Sequence, residues 1–98
     1  MNKTILITGG EGRFCNVLKN SKVKLKFYFA KKKECDILNL KSLEKIVKKV
    51  KPNIIMHCAG LSRPMSIHDK DIKKSIDLNI IGTANVTKIC AQYNLKLI

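Results

Sequence analysis

The chain has 98 residues, enough for one small domain. Apolar residues make up 45% of it, as in globular rather than disordered proteins, and no apolar run reaches the roughly 18–20 residues of a membrane-spanning helix. Because Thr8, Gly9 and Gly10 interrupt the first apolar stretch, the amino terminus lacks the layout of a signal peptide. We therefore expect a cytoplasmic protein that makes no membrane contact.

The net charge of +13 comes from 20 Lys and Arg against 7 Asp and Glu. Such a basic chain could bind nucleic acid. However, the lysines are spread over the whole sequence, and aromatic residues, which would stack on bases, make up 5%. We expect a solvated lysine-rich exterior, and nucleic-acid binding is a remote alternative.

The first predicted elements are a strand, a glycine-rich turn and a helix. An apolar run predicts a central parallel strand over 3–8. A helix follows over about 12–19, and we expect Phe14, Val17 and Leu18 on its inner face. Polar and apolar residues then alternate over 22–29, which predicts a second strand.

The middle of the chain predicts an amphipathic helix and a buried strand. Apolar residues recur at helical spacing over 41–50, with Asn39 or Ser42 as the N-cap and Pro52 just after the end. The strand covers 54–58.

The last third predicts a polar loop over 61–70, a long helix over 71–93 and the start of a strand at 95–98. The apolar side of the long helix is expected to consist of Ile76, Ile80, Ile81, Ala84 and Ile89.

The alternation of strands and helices predicts an α/β fold: a Rossmann-like, doubly wound parallel sheet with helices on both faces. Strands average about 5–6 residues, so the last one looks unfinished. We expect residues 1–98 to be the N-terminal part of a longer protein.

Cysteines stand at 15, 35, 58 and 90 without C-x-x-C spacing. Free thiols are expected, with Cys58 and Cys90 buried among apolar neighbours, and no metal site is predicted. His57, on a buried strand, is expected to be packed and hydrogen-bonded rather than a metal ligand.

The turn after the first strand predicts a phosphate site. Glycines allow a tight bend and a close approach of a phosphate to the backbone, and the next helix directs N–H groups at it. Cys15 replaces the third glycine of the dinucleotide pattern. An ordinary strand–turn–helix without a ligand is the alternative.

Four segments, quoted in chain order, together resemble the extended short-chain dehydrogenase/reductase family, closest to sugar-nucleotide enzymes of the dTDP-4-dehydrorhamnose reductase type. They are Thr8–Phe14, Cys35–Leu38, His57–Gly60 and Leu78–Val86. The resemblance covers the whole chain but only the N-terminal third of a typical member. It implies NAD or NADP as the cofactor and a nucleotide sugar as the substrate, and homodimerisation of the full-length protein stays open.

The resemblance also implies a role for each cofactor-site residue. The turn would hold the pyrophosphate, Asp36 and Ile37 would lie near the adenine, the end of the third strand would pass under the nicotinamide ribose, and Asn79 would steady the backbone nearby. The implied residues are Thr8, Gly9, Gly10, Glu11, Gly12, Arg13, Phe14, Asp36, Ile37, Cys58, Ala59, Gly60 and Asn79.

Two specificity questions remain open in the sequence. Lys31, Lys32 and Lys33 follow the second strand, where NAD enzymes often carry an acid. These lysines slightly favour NADP through its 2′-phosphate, although a solvated charge run explains them equally well. Asp36 could contact either adenine or ribose.

Catalysis in the family rests on a Tyr-x-x-x-Lys pair with an upstream Ser or Thr, and these would lie beyond residue 98. Tyr28 and Lys32 match the spacing, but four residues along a strand place them about 13 Å apart, so we reject the pair. No catalytic residue is therefore assigned. Ser62 and Arg63 are candidates for substrate contact, or else ordinary loop residues.

The interpretation is an NAD(P)-binding portion of a sugar-nucleotide oxidoreductase that moves hydride between nicotinamide and a keto-sugar carbon. The fragment alone should be inactive. A non-catalytic nucleotide-binding module of the same fold is the alternative.

Overall fold

The computed structural model describes residues 3–11, 13–21, 25–59, 73 and 76–98. Four strands and three α-helices alternate along this part of the chain, and a five-residue π-helical segment precedes the last helix. The elements are β1 (Thr4–Thr8), α1 (Arg13–Lys19), β2 (Lys26–Phe29), α2 (Leu40–Val50), β3 (Ile54–His57), the π segment (Asp77–Ile81), α3 (Gly82–Tyr93) and β4 (Lys96–Leu97).

The strands form one parallel sheet in the order β2-β1-β3-β4. The chain moves from β1 outward to β2 and then crosses back to the other side of β1, so the strand order reverses between β1 and β3. The carboxyl ends of these two strands lie in register, with Thr8 paired to His57. Ligands of such sheets bind outside this reversal point.

Side chains alternate between the two faces of β1 and build a core on each side. Ile5 and Ile7 pack with Cys15 of α1 on one face. Leu6 points to the other face, where α2 and α3 cover the sheet. That larger core contains Leu6, Ala30, Cys35, Ile37, Leu43, Ile46, Val47, Ile55, Val86, Ile89 and Cys90. The predicted doubly wound α/β architecture is confirmed.

Helix α2 begins and ends as its sequence indicates. Asn39 is the N-cap, and its side chain accepts hydrogen bonds from the backbone N–H groups of Lys41 and Ser42. Lys51 ends the helix in the left-handed region with φ of 52°, and its N–H donates to the Val47 carbonyl.

The predicted inner face of α1 is wrong for two residues. Phe14 and Val17 are 55% and 71% exposed, whereas Cys15 is completely buried and Leu18 is half-buried. The helix is rotated because Cys15 packs against β1 and its thiol donates to the Gly9 carbonyl at 3.4 Å. Cysteine at the third position of the glycine pattern therefore permits close packing.

The apolar side predicted for the last helix is also largely wrong. Ile76, Ile80 and Ile81 are 46%, 63% and 45% exposed, and Ala84 is exposed as well. Ile89 is buried as expected. The π segment adds a residue to its turn and shifts the helix face, so the buried side of α3 consists of Gly82, Val86, Ile89 and Cys90.

Smaller differences concern strand ends and cysteines. Leu25 lies outside the second strand, which begins at Lys26, and the third strand ends at His57 rather than at Cys58. All four cysteines are free, but Cys58 is exposed, contrary to expectation, because it follows the strand end instead of lying within the sheet. Among the described residues, no helix combines the length and apolar character needed to cross a membrane.

Candidate nucleotide site at the carboxyl edge of the sheet

The glycine turn is wedged between two backbone segments. Gly9 has φ of +67°, and a Cβ there would lie 2.8 Å from Cα and N of Ala59. A Cβ on Gly10 would lie 2.6 Å from the Phe29 carbonyl carbon, and the Gly10 N–H donates to the Ala30 carbonyl at 2.9 Å. Glycine is therefore required at both positions for the turn to lie against the ends of β2 and β3.

A cavity of about 240 Å³ opens beside this turn, at the reversal point between β1 and β3. Residues from four parts of the chain line it: the glycine turn, the segment after β2, the end of β3 and the π segment. They are Gly9, Glu11, Lys32, Cys35, Asp36, Ile37, Cys58, Ala59 and Leu78. The cavity walls are mostly apolar around a few charged groups, as expected for a nucleotide pocket.

The Asp36–Ile37 wall is held by side chains that sequence reasoning did not select. The Asp36 N–H donates to the Ser42 hydroxyl, and Asp36 Oδ1 accepts from the Leu38 N–H, both at 3.0 Å. Asn85 Nδ2 donates to the Ile37 carbonyl at 2.9 Å. These bonds attach the wall to α2 and α3.

Gly82 lets α3 approach that wall, because a Cβ at this position would overlap the Ile37 side chain. Gly82 and Asn85 lie within the Leu78–Val86 segment that carried the family resemblance. A glycine inside a helical pattern was the available signal for such a contact.

The three lysines after β2 differ in position. Lys32 lines the cavity together with Asp36. Lys33 instead lines a separate surface groove beside α2. Lys31 is exposed, and its N–H donates to Glu34 Oε1 at 3.3 Å. Of the three, Lys32 is therefore the one placed to meet a ligand in the cavity.

A hydrogen-bond network joins the two central strand ends to the last helix. Thr8 Oγ1 accepts from the backbone N–H groups of Cys58 and Ala59 at 3.0 and 3.1 Å. The same hydroxyl lies 2.7 Å from His57 Nδ1, and His57 Nε2 lies 3.0 Å from Thr83 Oγ1. His57 is thus packed and hydrogen-bonded, as expected.

Desolvation shifts the pKa values of three groups at this edge of the sheet. It lowers the pKa of His57, which favours the neutral imidazole. Burial first, and then the nearby Glu34 and Asp36 charges, raise the pKa of Cys35 to about 11. The Cys58 thiol also has its pKa raised to about 11, by desolvation and then by Cys15. Both cavity thiols are therefore neutral near pH 7.

Six of the sequence-predicted cofactor residues line the cavity. Gly10, in the turn, and Thr8, at the end of β1, are both buried. Phe14 is exposed on α1, and Asn79 lies in the π segment next to Leu78. The six are Gly9, Glu11, Asp36, Ile37, Cys58 and Ala59.

The remaining site predictions cannot be placed. Gly12, Gly60, Ser62 and Arg63 lie outside the described residues, and of Arg13 only the backbone position at the start of α1 is described. Tyr28, whose spacing to Lys32 imitates a catalytic pair, donates its hydroxyl to Glu34 Oε2 at 2.9 Å. In the part of the chain described, no group of three or more His, Cys, Asp or Glu is arranged to hold a metal ion.

The sequence profile described as the RmlD substrate binding domain matches residues 2–98. The chain belongs to this family. The resemblance to the dTDP-4-dehydrorhamnose reductase group is thereby confirmed. Among curated protein sequences, none matches the chain.

Solved structures of the same fold include enzymes of nucleotide-sugar metabolism. A dTDP-4-dehydrorhamnose reductase from Bacillus anthracis in complex with NADP has a TM-score of 0.88 and 27% identity, with 99% of this RmlD-family chain and 35% of that protein covered. A UDP-rhamnose synthase from Acanthamoeba polyphaga mimivirus has a TM-score of 0.83 and 16% identity, with coverage of 99% and 36%.

A further dTDP-4-dehydrorhamnose reductase, from Clostridium acetobutylicum, has a TM-score of 0.77 and 21% identity, with coverage of 96% and 34%. The RmlD-family chain therefore spans about a third of the length of these proteins. The two comparisons below 25% identity show the fold alone.

Proposed function

We propose that this chain is the NAD(P)-binding portion of a sugar-nucleotide oxidoreductase. The observation that carries the proposal is the cavity at the reversal point, where the glycine turn, the Asp36–Ile37 wall and the end of β3 converge. The cofactor, when bound, would donate or accept the hydride that is exchanged with a keto-sugar carbon. The bound NADP of the reductase at 27% identity supports this assignment.

The residues of the cavity fit the parts of a dinucleotide. The turn at Gly9 presents backbone without a side chain, so a pyrophosphate can approach it closely. The Asp36 carboxylate offers acceptor oxygens to ribose hydroxyls or to the adenine amino group. Ile37 supplies an apolar surface for the adenine ring, and Ala59 leaves space beside the turn for the nicotinamide ribose.

The complete activity is proposed to require residues that follow Ile98. Residues 1–98 would form the N-terminal part of the cofactor domain, and the Tyr-x-x-x-Lys pair and most of the substrate site would come after it. Ser62 and Arg63, which follow Ala59-Gly60 closely in the sequence, remain candidates for contact with the substrate phosphates. A fragment restricted to residues 1–98 is expected to transfer no hydride.

Cofactor titration of the whole gene product tests the proposal. We expect saturable binding of NADPH or NADH, measured by calorimetry and by the change in dihydronicotinamide fluorescence. Absence of binding by either coenzyme would refute the proposed function.

Lys32 is proposed to select NADP through charge attraction to the 2′-phosphate. Loss of one phosphate contact of about 1.4 kcal/mol corresponds to a factor of ten in affinity. Lys32→Ala should therefore weaken NADPH binding about tenfold and leave NADH binding nearly unchanged. Lys33→Ala is the matched control, because Lys33 lines a different groove. A wild-type preference for NADH would overturn this role of Lys32 while leaving the nucleotide site intact.

A non-catalytic nucleotide-binding module is the second candidate. The chain itself supplies no catalytic pair, because the one Tyr-x-x-x-Lys match within residues 1–98 has its Tyr28 hydroxyl bonded to Glu34, and the cofactor site alone fits either function. Oxidation of NADPH by the whole gene product in the presence of a nucleotide-linked keto sugar would decide for the enzyme. Cofactor binding without turnover on any nucleotide-linked keto sugar would decide for the module.

A further inference from the structure

The hydrogen-bond network around His57 has a defined proton direction. The Thr83 hydroxyl has one proton, which it donates to the Asn79 carbonyl at 2.9 Å. Thr83 Oγ1 must therefore accept from His57, which places the ring proton on Nε2. A neutral imidazole with a proton on Nε2 has an acceptor at Nδ1, so the Thr8 hydroxyl donates its proton there.

The same reasoning fixes the orientation of Thr8. Since its single proton goes to His57 Nδ1, its oxygen lone pairs are directed toward the N–H groups of Cys58 and Ala59. Those N–H groups belong to the strand end that lines the cavity. One ring thus connects the wall beside the glycine turn with the π segment that carries Asn79.

We propose that His57 is a positioning residue for the cofactor: as a neutral ring protonated on Nε2, it holds Thr8 and Thr83 so that the end of β3 and the π segment keep the shape of the dinucleotide cavity. This inference rests on the proposed function of that cavity. His57 itself does not line the cavity, so it acts through the backbone it fixes.

Protonation of His57 would disrupt the network. A proton on Nδ1 would face Thr8 Oγ1, which already accepts from two backbone N–H groups, and the Thr8 proton would lose its acceptor. The neutral ring is thus required, and cofactor affinity should fall as pH falls through the pKa of His57. That pKa lies below the ordinary value of 6.5 because the ring is partly buried.

Other titrating groups near the ring do not account for such a loss. Among the described residues, the groups hydrogen-bonded to the ring are the hydroxyls of Thr8 and Thr83, and neither titrates in this range. Cys58, the next residue, has its pKa raised to about 11. The strands β1 and β4 and the helix α3, which contact β3, carry no His, Asp or Glu within their described bounds, and their titratable side chains are Lys88, Cys90, Tyr93 and Lys96. The acids on the other elements of this side are Glu44 of α2, which is bonded to Tyr93 and Lys48, and Asp77 of the π segment, which pairs with Lys73.

Two substitutions at His57 separate the two halves of the network. His57→Asn places an amide oxygen near the Nδ1 position and retains an acceptor for Thr8. His57→Gln reaches the Nε2 position and retains a donor for Thr83. Each loses one hydrogen bond, and a net bond contributes about 1 kcal/mol, so we expect each to weaken NADPH binding about fivefold.

Thr83→Val removes the hydroxyl with little change in shape and should also weaken binding about fivefold. Thr83→Ser keeps the hydroxyl and should restore wild-type affinity, which a purely packing role of the methyl group would not produce. Thr87→Val is the matched control: Thr87 also donates to the carbonyl four residues earlier, at 2.9 Å, but on the exposed side of α3.

The experiment measures the NADPH and NADH dissociation constants of the whole gene product between pH 5 and 8, together with the imidazole nitrogen shifts of His57. We expect an Nε2-protonated neutral ring at pH 7 and an acid loss of affinity in the wild type that is absent in His57→Gln. The wild type and His57→Gln are compared with the same coenzyme, so titration of the NADPH 2′-phosphate affects both dissociation constants equally.

The outcomes are distinguishable. Cofactor binding with a flat pH profile, with an Nδ1-protonated ring, or with unchanged affinity in Thr83→Val would overturn the positioning role while the proposed function stands. No binding of either coenzyme by the wild type would refute the proposed function and the positioning role with it. The wild-type pH profile and the nitrogen shifts require no variant, so they decide the question even if a substitution at His57 prevents folding.

Discussion

Replacing Gly9 with alanine should weaken both the fold and the cofactor site. The left-handed backbone, with φ of +67°, costs an alanine about 1–2 kcal/mol. The smaller entropy of the unfolded alanine chain returns about 0.4–1 kcal/mol. The second effect offsets only part of the first, and the space around the new Cβ decides how much larger the total cost is.

That Cβ would lie 2.8 Å from Cα and N of Ala59, about 0.6 Å closer than ordinary van der Waals contact. The atoms it meets are backbone, so they cannot rotate away, and the end of β3 must move. Overpacking of this kind costs about 1–3 kcal/mol. We expect Gly9→Ala to lower the free energy of unfolding by about 2 kcal/mol and, because the displaced strand end lines the cavity, to weaken cofactor binding about tenfold or more.

Urea denaturation followed by far-UV circular dichroism measures the first effect, and coenzyme titration measures the second. Gly82→Ala is a comparison at a glycine with an ordinary helical φ of −59°, where the new Cβ would overlap the buried Ile37 side chain instead of backbone. The gain of about 1 kcal/mol in helix propensity offsets part of that overpacking, so Gly82→Ala should lower the free energy of unfolding less than Gly9→Ala does. Wild-type stability and affinity in Gly9→Ala would refute the reasoning.

Two further predictions concern other described residues. Lys51→Gly should raise the free energy of unfolding by about 0.5–1 kcal/mol, because Lys51 ends α2 at φ of 52°. Asn94→Gly, at φ of 54°, should raise it less, since asparagine tolerates this conformation. A larger gain for Asn94→Gly than for Lys51→Gly in urea denaturation would contradict the argument. Native-state alkylation followed by mass spectrometry should modify the exposed Cys58 before the buried Cys15. The rate of Cys58 modification should rise about tenfold per pH unit toward the pKa of about 11, and NADPH should slow it. Labelling of Cys15 before Cys58 would be inconsistent with the structure.

Local patterns were sufficient to predict the sheet. The apolar run before Gly9, the helical spacing after Asn39 and the short apolar strand after Pro52 each identified an element within one or two residues of its observed bounds. These signals are local in sequence. Turn chemistry and capping residues act within a few positions, so they do not depend on the rest of the fold.

Burial on the helices could not be predicted in the same way. The orientation of α1 depends on how Cys15 meets β1, and the face of α3 depends on the π segment before it and on long-range contacts such as the bond from Asn85 to the Ile37 carbonyl, 48 residues away. Spacing alone identifies an amphipathic pattern but not the long-range partner that selects a face. Phe14 and Val17 were therefore assigned inward incorrectly.

The candidate site also combines features that the sequence predicted with features that only the structure shows. The turn at Gly9, the acid at Asp36 and the small residue at Ala59 follow predicted strands, so their convergence at one edge was expected. The choice of Lys32 among three consecutive lysines, and the support from Ser42 and Asn85, require the path of the chain after β2 and emerge from the structure.

The five-residue π turn before α3 has a consequence for how this protein could tolerate change in length. A π turn holds about one residue more than a turn of regular α-helix, so deleting one position between Asp77 and Ile81 would convert it to an α turn and leave the residues on either side facing nearly as before. Within α3 itself, where each residue adds about 100° of rotation, the same deletion would rotate the residues before it by that angle relative to those after it. Loss of a single codon should therefore be tolerated better in the π turn than in the regular turns of α3.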